Sequence, residues 1–110
     1  MIEKSFPFGV TDWAALPAEE HKGESGTSFW RTVERGGLRI RTIDYSPGFR
    51  SDHWCARGHI LLVLEGELAV TLRDGRELVL RPGMSFAAGN DEENPHLVHS
   101  GPGAKVFVVD

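Results

Sequence analysis

The segment SDHWCARGH, residues 51–59, gathers His53, Cys55 and His59 within seven positions of a chain that has five histidines and one cysteine in all. Imidazole and thiolate are the donors proteins most often offer to zinc and its neighbours, and the same residue types supply base and nucleophile in thiol chemistry. In an extended segment, residues two apart share a side, so His53 and Cys55 project together while Trp54 faces away. His59 has the same parity. Gly58 breaks the strand before it, so His59 begins the next strand and approaches the others from beside them. A fourth donor comes from NPHLVHS, where Pro95 leads into His96. His99, three residues on, points the opposite way and is read with His21 as a surface residue. A Cys55 thiol paired with His53 or His59 lacks an identifiable third residue to orient the base, which favours the metal reading.

These residues need a scaffold of strands. From Ser28 onward, short apolar or alternating runs are divided by turn residues: SFWRTV, ERGG, LRIRTIDY, SPG, ILLVL, EG, ELAVTL, RDG, RELVL, RPG, MSFAA, GNDEEN, PHLVHS, GPG and AKVFVVD. That pattern predicts about eight strands at the spacing of a sandwich or barrel, hence one all-β domain over residues 28–110. Residues 1–27 carry Pro7, Gly9, Pro17, Gly23 and Gly26 around a helix-compatible TDWAALPAEE; they read as an arm packed through Trp13 and Leu16. One hairpin can be checked for register. A two-residue Asp74-Gly75 loop would put Leu78 and Leu80 on the face away from Leu68, Val70 and Leu72. A three-residue loop, Arg73-Asp74-Gly75, instead pairs Val70 with Leu78 and Leu68 with Leu80, and is the expected one. By alternation, Leu38 and Ile40 are core and Arg39 and Arg41 their opposite face, with a bulge or two-sided cover at Thr42-Ile43.

With 110 residues, 40% hydrophobic and 25% charged, the chain has the composition of a single globular domain. A formal charge of −4 and the absence of a basic run with interleaved aromatics argue against nucleic acid. No apolar run approaches the ~20 residues of a membrane span, and the N-terminus has no secretory signal pattern, so a cytoplasmic location is expected. A lone cysteine fits a reducing compartment.

The segment YSPGFRSDHWCARGHILLVLEGEL resembles the first motif of the cupin superfamily, a glycine, H-x-H, three or four residues, E, six residues, G; Gly48, His53, Cys55, His59 and Gly66 stand at those places. Cys55 replaces the second histidine and His59 the glutamate. Pro95-His96 matches the proline and histidine of the second motif, across a loop longer than usual. With TDW, GLRIRTIDYSPG, GMSF and GAKVFVVD, the likeness is to the small DHCW-motif cupin-fold proteins and covers nearly the whole chain. It implies a double-stranded β-helix, or cupin jelly roll, with a metal inside the barrel held by His53, Cys55, His59 and His96.

Exchanging a carboxylate for a thiolate keeps the charge of such a site and softens it. Zinc is therefore preferred, with iron or nickel permitted and manganese disfavoured. Two functions stay open: a metal-binding protein that acts on or binds a small polar molecule, or a non-catalytic ligand-binding or sensing module in which the metal is structural or absent. Arg39, Arg41, Arg50 and Arg57 would suit a carboxylate or phosphate if they faced the barrel, but solvated positions are expected for at least two. Trp30, Tyr45 and Phe86 are read as core, and Asp91, Glu92 and Glu93 as a solvated loop. The resemblance also implies a homodimer, since cupins similar to this chain commonly pair through sheet edges, which need cover, and the arm has the apolar residues to lie across a partner.

Overall fold

The computed structural model describes residues 2–110 and is built of two antiparallel sheets, with no α-helix among the described residues. The strands are β1 (Glu19–Lys22), β2 (Thr27–Arg35), β3 (Leu38–Tyr45), β4 (Phe49–Arg50), β5 (His59–Gly66), β6 (Leu68–Leu72), β7 (Glu77–Leu80), β8 (Ser85–Ala88), β9 (His96–Ser100) and β10 (Ala104–Val109). The larger sheet runs β1-β2-β3-β10-β5-β8 and the smaller β4-β9-β6-β7. The all-β reading holds, with ten strands where about eight were expected. The two unforeseen ones, β1 and β4, carry little alternation: EEHK is polar throughout and FR is two residues long.

Strand β10 is central because its small apolar side chains can be covered closely from both sides. Val106 lies opposite Ile43 of β3 and Val63 of β5, and Val108 opposite Arg41 and Leu61. The inward residues Ala104, Val106, Val108, Ile43, Leu61, Val63, Leu68, Val70 and Leu80 form one buried cluster. Each larger member removed from water contributes roughly 1.5–3 kcal/mol before entropy is counted. This apolar plug fills one part of the barrel, and inward positions toward the far ends of β3, β5, β9 and β10 are polar.

The β6–β7 hairpin has the expected register, with Leu68 opposite Leu80 and Val70 opposite Leu78. Leu72 N–H donates to Arg76 O and Gly75 N–H to Leu72 O, closing the Arg73-Asp74-Gly75 turn, and Gly75 has φ +99°. The expectation for β3 is inverted. Pairing with β10 turns Arg39, Arg41, Ile43 and Tyr45 inward and Leu38 and Ile40 outward; the β2–β3 ladder runs from Ser28↔Tyr45 to Arg35↔Leu38 without a bulge, and Thr42 and Ile43 are both buried, the two-sided cover expected as the alternative there. Local alternation cannot say which face of LRIRTIDY is the inner one, and here the apolar rule picks the wrong face because the barrel interior is charged at that end.

Within residues 1–27, the helix-compatible piece forms a single 3-10 turn, Trp13–Ala15, whose Asp12 makes no side-chain cap. Trp13 does pack on the barrel, edge-on to Phe107 at 6.0 Å, and Leu16 O accepts from Arg31 Nε at 3.1 Å. Residues 19–22 pair with β2 and so extend the larger sheet.

Gly66 and Gly75 both hold the chain at positive φ, the first where a side chain would also collide. Gly66 has φ +76°, and a Cβ there would overlap the carbonyl oxygen of Gly103. Gly75 has open space around it, so only its backbone angle matters. Gly66→Ala is therefore expected to cost about 2 kcal/mol or more and Gly75→Val about 1 kcal/mol, by urea denaturation. Equal costs for the two would contradict this packing.

Candidate metal centre

Inward parity selects the polar residues of the barrel. On β5, His59 is two residues from Leu61 and four from Val63, so it shares their inward face; on β9, His96 does so with Val98 and Ser100. Cys55 is brought across by a two-way backbone bridge, Cys55 N–H to His96 O at 2.8 Å and His96 N–H to Cys55 O at 2.9 Å. The result is a cluster of Cys55, His59 and His96 whose donor atoms all lie within 4.8 Å of one another. The two histidines face each other, Nε2 to Nε2 at 3.0 Å, with the rings near perpendicular.

Of the four residues expected to share an ion, the structure brings three together. His53 stands outside, with a side chain 78% exposed and Nδ1 bonded to Asp52 Oδ1 at 2.6 Å. The parity argument needs an extended 53–55 segment, but Asp52 and His53 form a bend, so alternation is interrupted just before Cys55. Trp54 faces outward as expected, beneath the guanidinium of Arg73 at 5.3 Å. His99 lies toward Glu77, 3.6 Å away, as its parity required. His21 is not a free surface residue: its ring stacks on Trp30 with centroids 3.9 Å apart.

Behind His59 lies a group that sequence reasoning missed. Asp110, one step beyond β10 on the same inward parity, has a side chain only 1% exposed and places Oδ2 3.5 Å from His59 Nδ1. That nitrogen is buried and has no other partner among the described residues. A carboxylate behind a metal-facing imidazole fixes which nitrogen carries the proton and leaves the other free to bind. Burial alone would raise the Asp110 pKa; the hydrogen bond from Arg39 and the charges of Arg41, Arg39 and Arg57 outweigh it and hold it at about 2. The only hint in the sequence was that VFVVD continues an alternating strand into an acid.

The imidazoles are kept neutral. Burial, then the nearby His59, depresses His96 to about 4, and burial lowers His59 against the opposing pull of Asp110. Two neutral ring nitrogens aimed at one point, with a thiol beside them, form a donor set that suits a borderline-soft divalent ion. The residues present therefore fit a metal.

The cluster opens onto a cavity of about 430 Å³ between the sheets. Arg39, Arg41 and Arg57 line it, together with Trp30, Tyr45 and His53. Trp30 and Tyr45, expected as core, pack against the core on one side and border this space on the other; Phe86 does the same at a second cavity of about 460 Å³. Burial pushes the Tyr45 phenol up to about 12, so it remains a hydrogen-bond donor.

No family model and no curated protein matches the sequence. Solved structures do. The polyketide cyclase RemF from Streptomyces resistomycificus is 21% identical with a TM-score of 0.76, over 94% of this chain and 78% of that one. Ectoine synthase from P. lautus is 15% identical with a TM-score of 0.74, over 93% and 76%. Fe(II)-HppE with an alternative substrate is 17% identical with a TM-score of 0.73, over 94% of this chain and 60% of its own. The fold is thus that of the cupin barrels, as the sequence resemblance implied.

The depressed His96 pKa has a consequence for metal-free protein. Unfolded chain takes up a proton near pH 6.5 that the folded imidazole refuses until about pH 4, so stability falls as pH drops through that window and levels off below it. The loss from this residue is expected to be about 3 kcal/mol at most. In chelator-treated protein, His96→Gln should flatten the urea midpoint between pH 6.5 and 4; an unchanged slope would show that His96 is not buried neutral.

Proposed function

We propose that the protein binds one divalent transition metal per chain through Cys55, His59 and His96, and uses it on a small molecule held in the adjoining cavity. The observation that carries this reading is the convergence of two neutral Nε2 atoms, 3.0 Å apart, with the Cys55 thiol in one cluster. Three protein ligands leave a tetrahedral ion one position for a ligand from the cavity, the arrangement that separates catalytic from structural zinc sites. A divalent ion there would supply Lewis acidity toward an oxygen of that ligand. The chain's own residues do the rest: Asp110 orients His59, the arginines set the charge of the cavity, and Tyr45 offers a proton donor. Zinc is preferred for its tolerance of mixed nitrogen and sulfur donors, with iron and nickel next. His53 is a residue of the cavity mouth in this reading.

Elemental analysis of untagged protein tests it. About one ion per chain is expected after exposure to zinc, unchanged in His53→Ala and largely lost in Cys55→Ser/His96→Ala. Retention in the double variant would remove the site. Full loss in His53→Ala would restore a four-residue set, and no uptake by folded wild-type protein would favour a metal-free module.

The protein is further proposed to form a homodimer. Phe8 and Val10 of the arm are 93% and 85% exposed, and the outer face of β5 leaves Ile60 59% and Leu64 42% exposed. Burying the arm of one copy on β5 of another would remove both patches from water. Light scattering should give twice the chain mass, and Phe8→Ser/Val10→Ser a monomer; a monomeric wild type at high micromolar concentration would refute it.

A further inference from the structure

Where the cavity meets the metal cluster, three guanidiniums share one carboxylate. Asp110 takes a bidentate pair from Arg39, at 3.0 and 2.8 Å, lies 3.0 Å from Arg57 Nε and accepts from Arg41 Nη2 at 3.3 Å. The charges do not balance. The one acid among the described residues that line the cavity, Asp52, is half exposed and occupied with His53.

Arg41 is the informative member, with a side chain 5% exposed. It gives Asp110 only Nη2. Its Nε is buried with no partner, and its Nη1 makes no hydrogen bond among the described residues. A buried cation with donors unspent is unfavourable unless an acceptor completes it, and burial already lowers its pKa. The guanidinium lies 4.5 Å over the Trp30 ring, which fixes its plane. Beyond it along the inward face of β3 come Ile43 and Tyr45. The cavity is thus cationic near His59 and Cys55, and elsewhere Ile43, Tyr45, Phe49 and Val98 give it apolar wall beside the polar Ser28, Ser51 and Lys22, at a volume suited to a small organic ligand.

We infer that the cavity takes a flat, apolar carboxylate, an aromatic acid or its like, with the carboxylate on Arg41 and Arg57 and the body along Ile43 and Tyr45, since His21 and Arg41 already cover the Trp30 ring. This deepens the proposed function and rests on it only in treating the cavity as a ligand site; the arginine contacts do not require the ion. Because Asp110 Oδ2 contacts both Arg41 and His59, a carboxylate on the arginines lies beside the metal cluster.

Calorimetric titration with 2-naphthoate, its neutral counterpart 2-naphthamide and inorganic phosphate tests this, on chelator-treated and on zinc-loaded protein. Naphthoate is expected to bind both forms, about tenfold or more tighter than the amide, as a charge-assisted pair predicts. Arg57→Gln, at a side chain 56% exposed and so tolerated by the fold, should weaken naphthoate several-fold and leave the amide unchanged. Arg41→Gln should erase the discrimination; should it fail to fold, Arg57→Gln and the salt dependence of wild-type binding decide. Equal affinity for acid and amide, no binding at millimolar concentration, or phosphate binding as tightly as naphthoate overturns the inference. A carboxylate preference confined to zinc-loaded protein overturns it as well, because the ion and not the arginines then holds the acid, while the metal reading stands. A preference retained by protein that takes up no metal supports the arginine site and refutes only the metal.

Discussion

The Asp110 carboxylate is the interaction on which the site depends. It is almost fully buried, which would be costly for an isolated charge, and it stays ionised because three arginines surround it. Those arginines in turn could not sit inside a barrel without it. Arg39 and Asp110 are also joined through their backbones, N–H to O at 2.7 Å and 2.9 Å, so the ion pair closes the end of the β3–β10 ladder as well as the cavity wall. One acid thereby ties strand pairing, arginine burial and the orientation of His59 into a single arrangement.

The barrel is divided lengthwise by residue type. The strands that line it keep one inward parity apart from a register shift between β10 and β5 at Lys105/Val106, but the parity carries Ala, Val, Leu and Ile over one stretch and His, Arg and Asp over the other. The apolar part supplies the burial that makes the fold stable. The polar part contributes little to stability and depends on the rigidity of the first, since packed cores resist the shifts of a few tenths of an ångström that would misplace a donor.

Much of this was legible in the sequence. Turn residues divided the chain into strands, the Leu68–Leu80 register followed from keeping one apolar face, His59 was placed by the break at Gly58, and parity let only one of His96 and His99 face inward, with Pro95 and the cupin resemblance pointing to His96. What failed did so for identifiable reasons. His53 was assigned by alternation across a segment that bends at Asp52, and a bend is set by long-range contacts that a local pattern does not contain. Arg39 and Arg41 were assigned outward because charged residues usually are; their inward turn is dictated by pairing with β10 and by Asp110, some 70 residues away. Asp110 itself had no local signature, because a buried acid can be recognised only from the cations that meet it.

The backbone bridge between Cys55 and His96 bears on the entropy of metal capture. In many small metal sites the ion gathers ligands from a flexible chain, and much of its binding energy goes into ordering them. Here two donors are held side by side by reciprocal main-chain hydrogen bonds, and the third stands on a strand locked into the larger sheet. An ion entering this site has little chain left to order. The affinity and selectivity of such an ion would be set by the fixed spacing of three atoms, and folding and metal loading would be separable events.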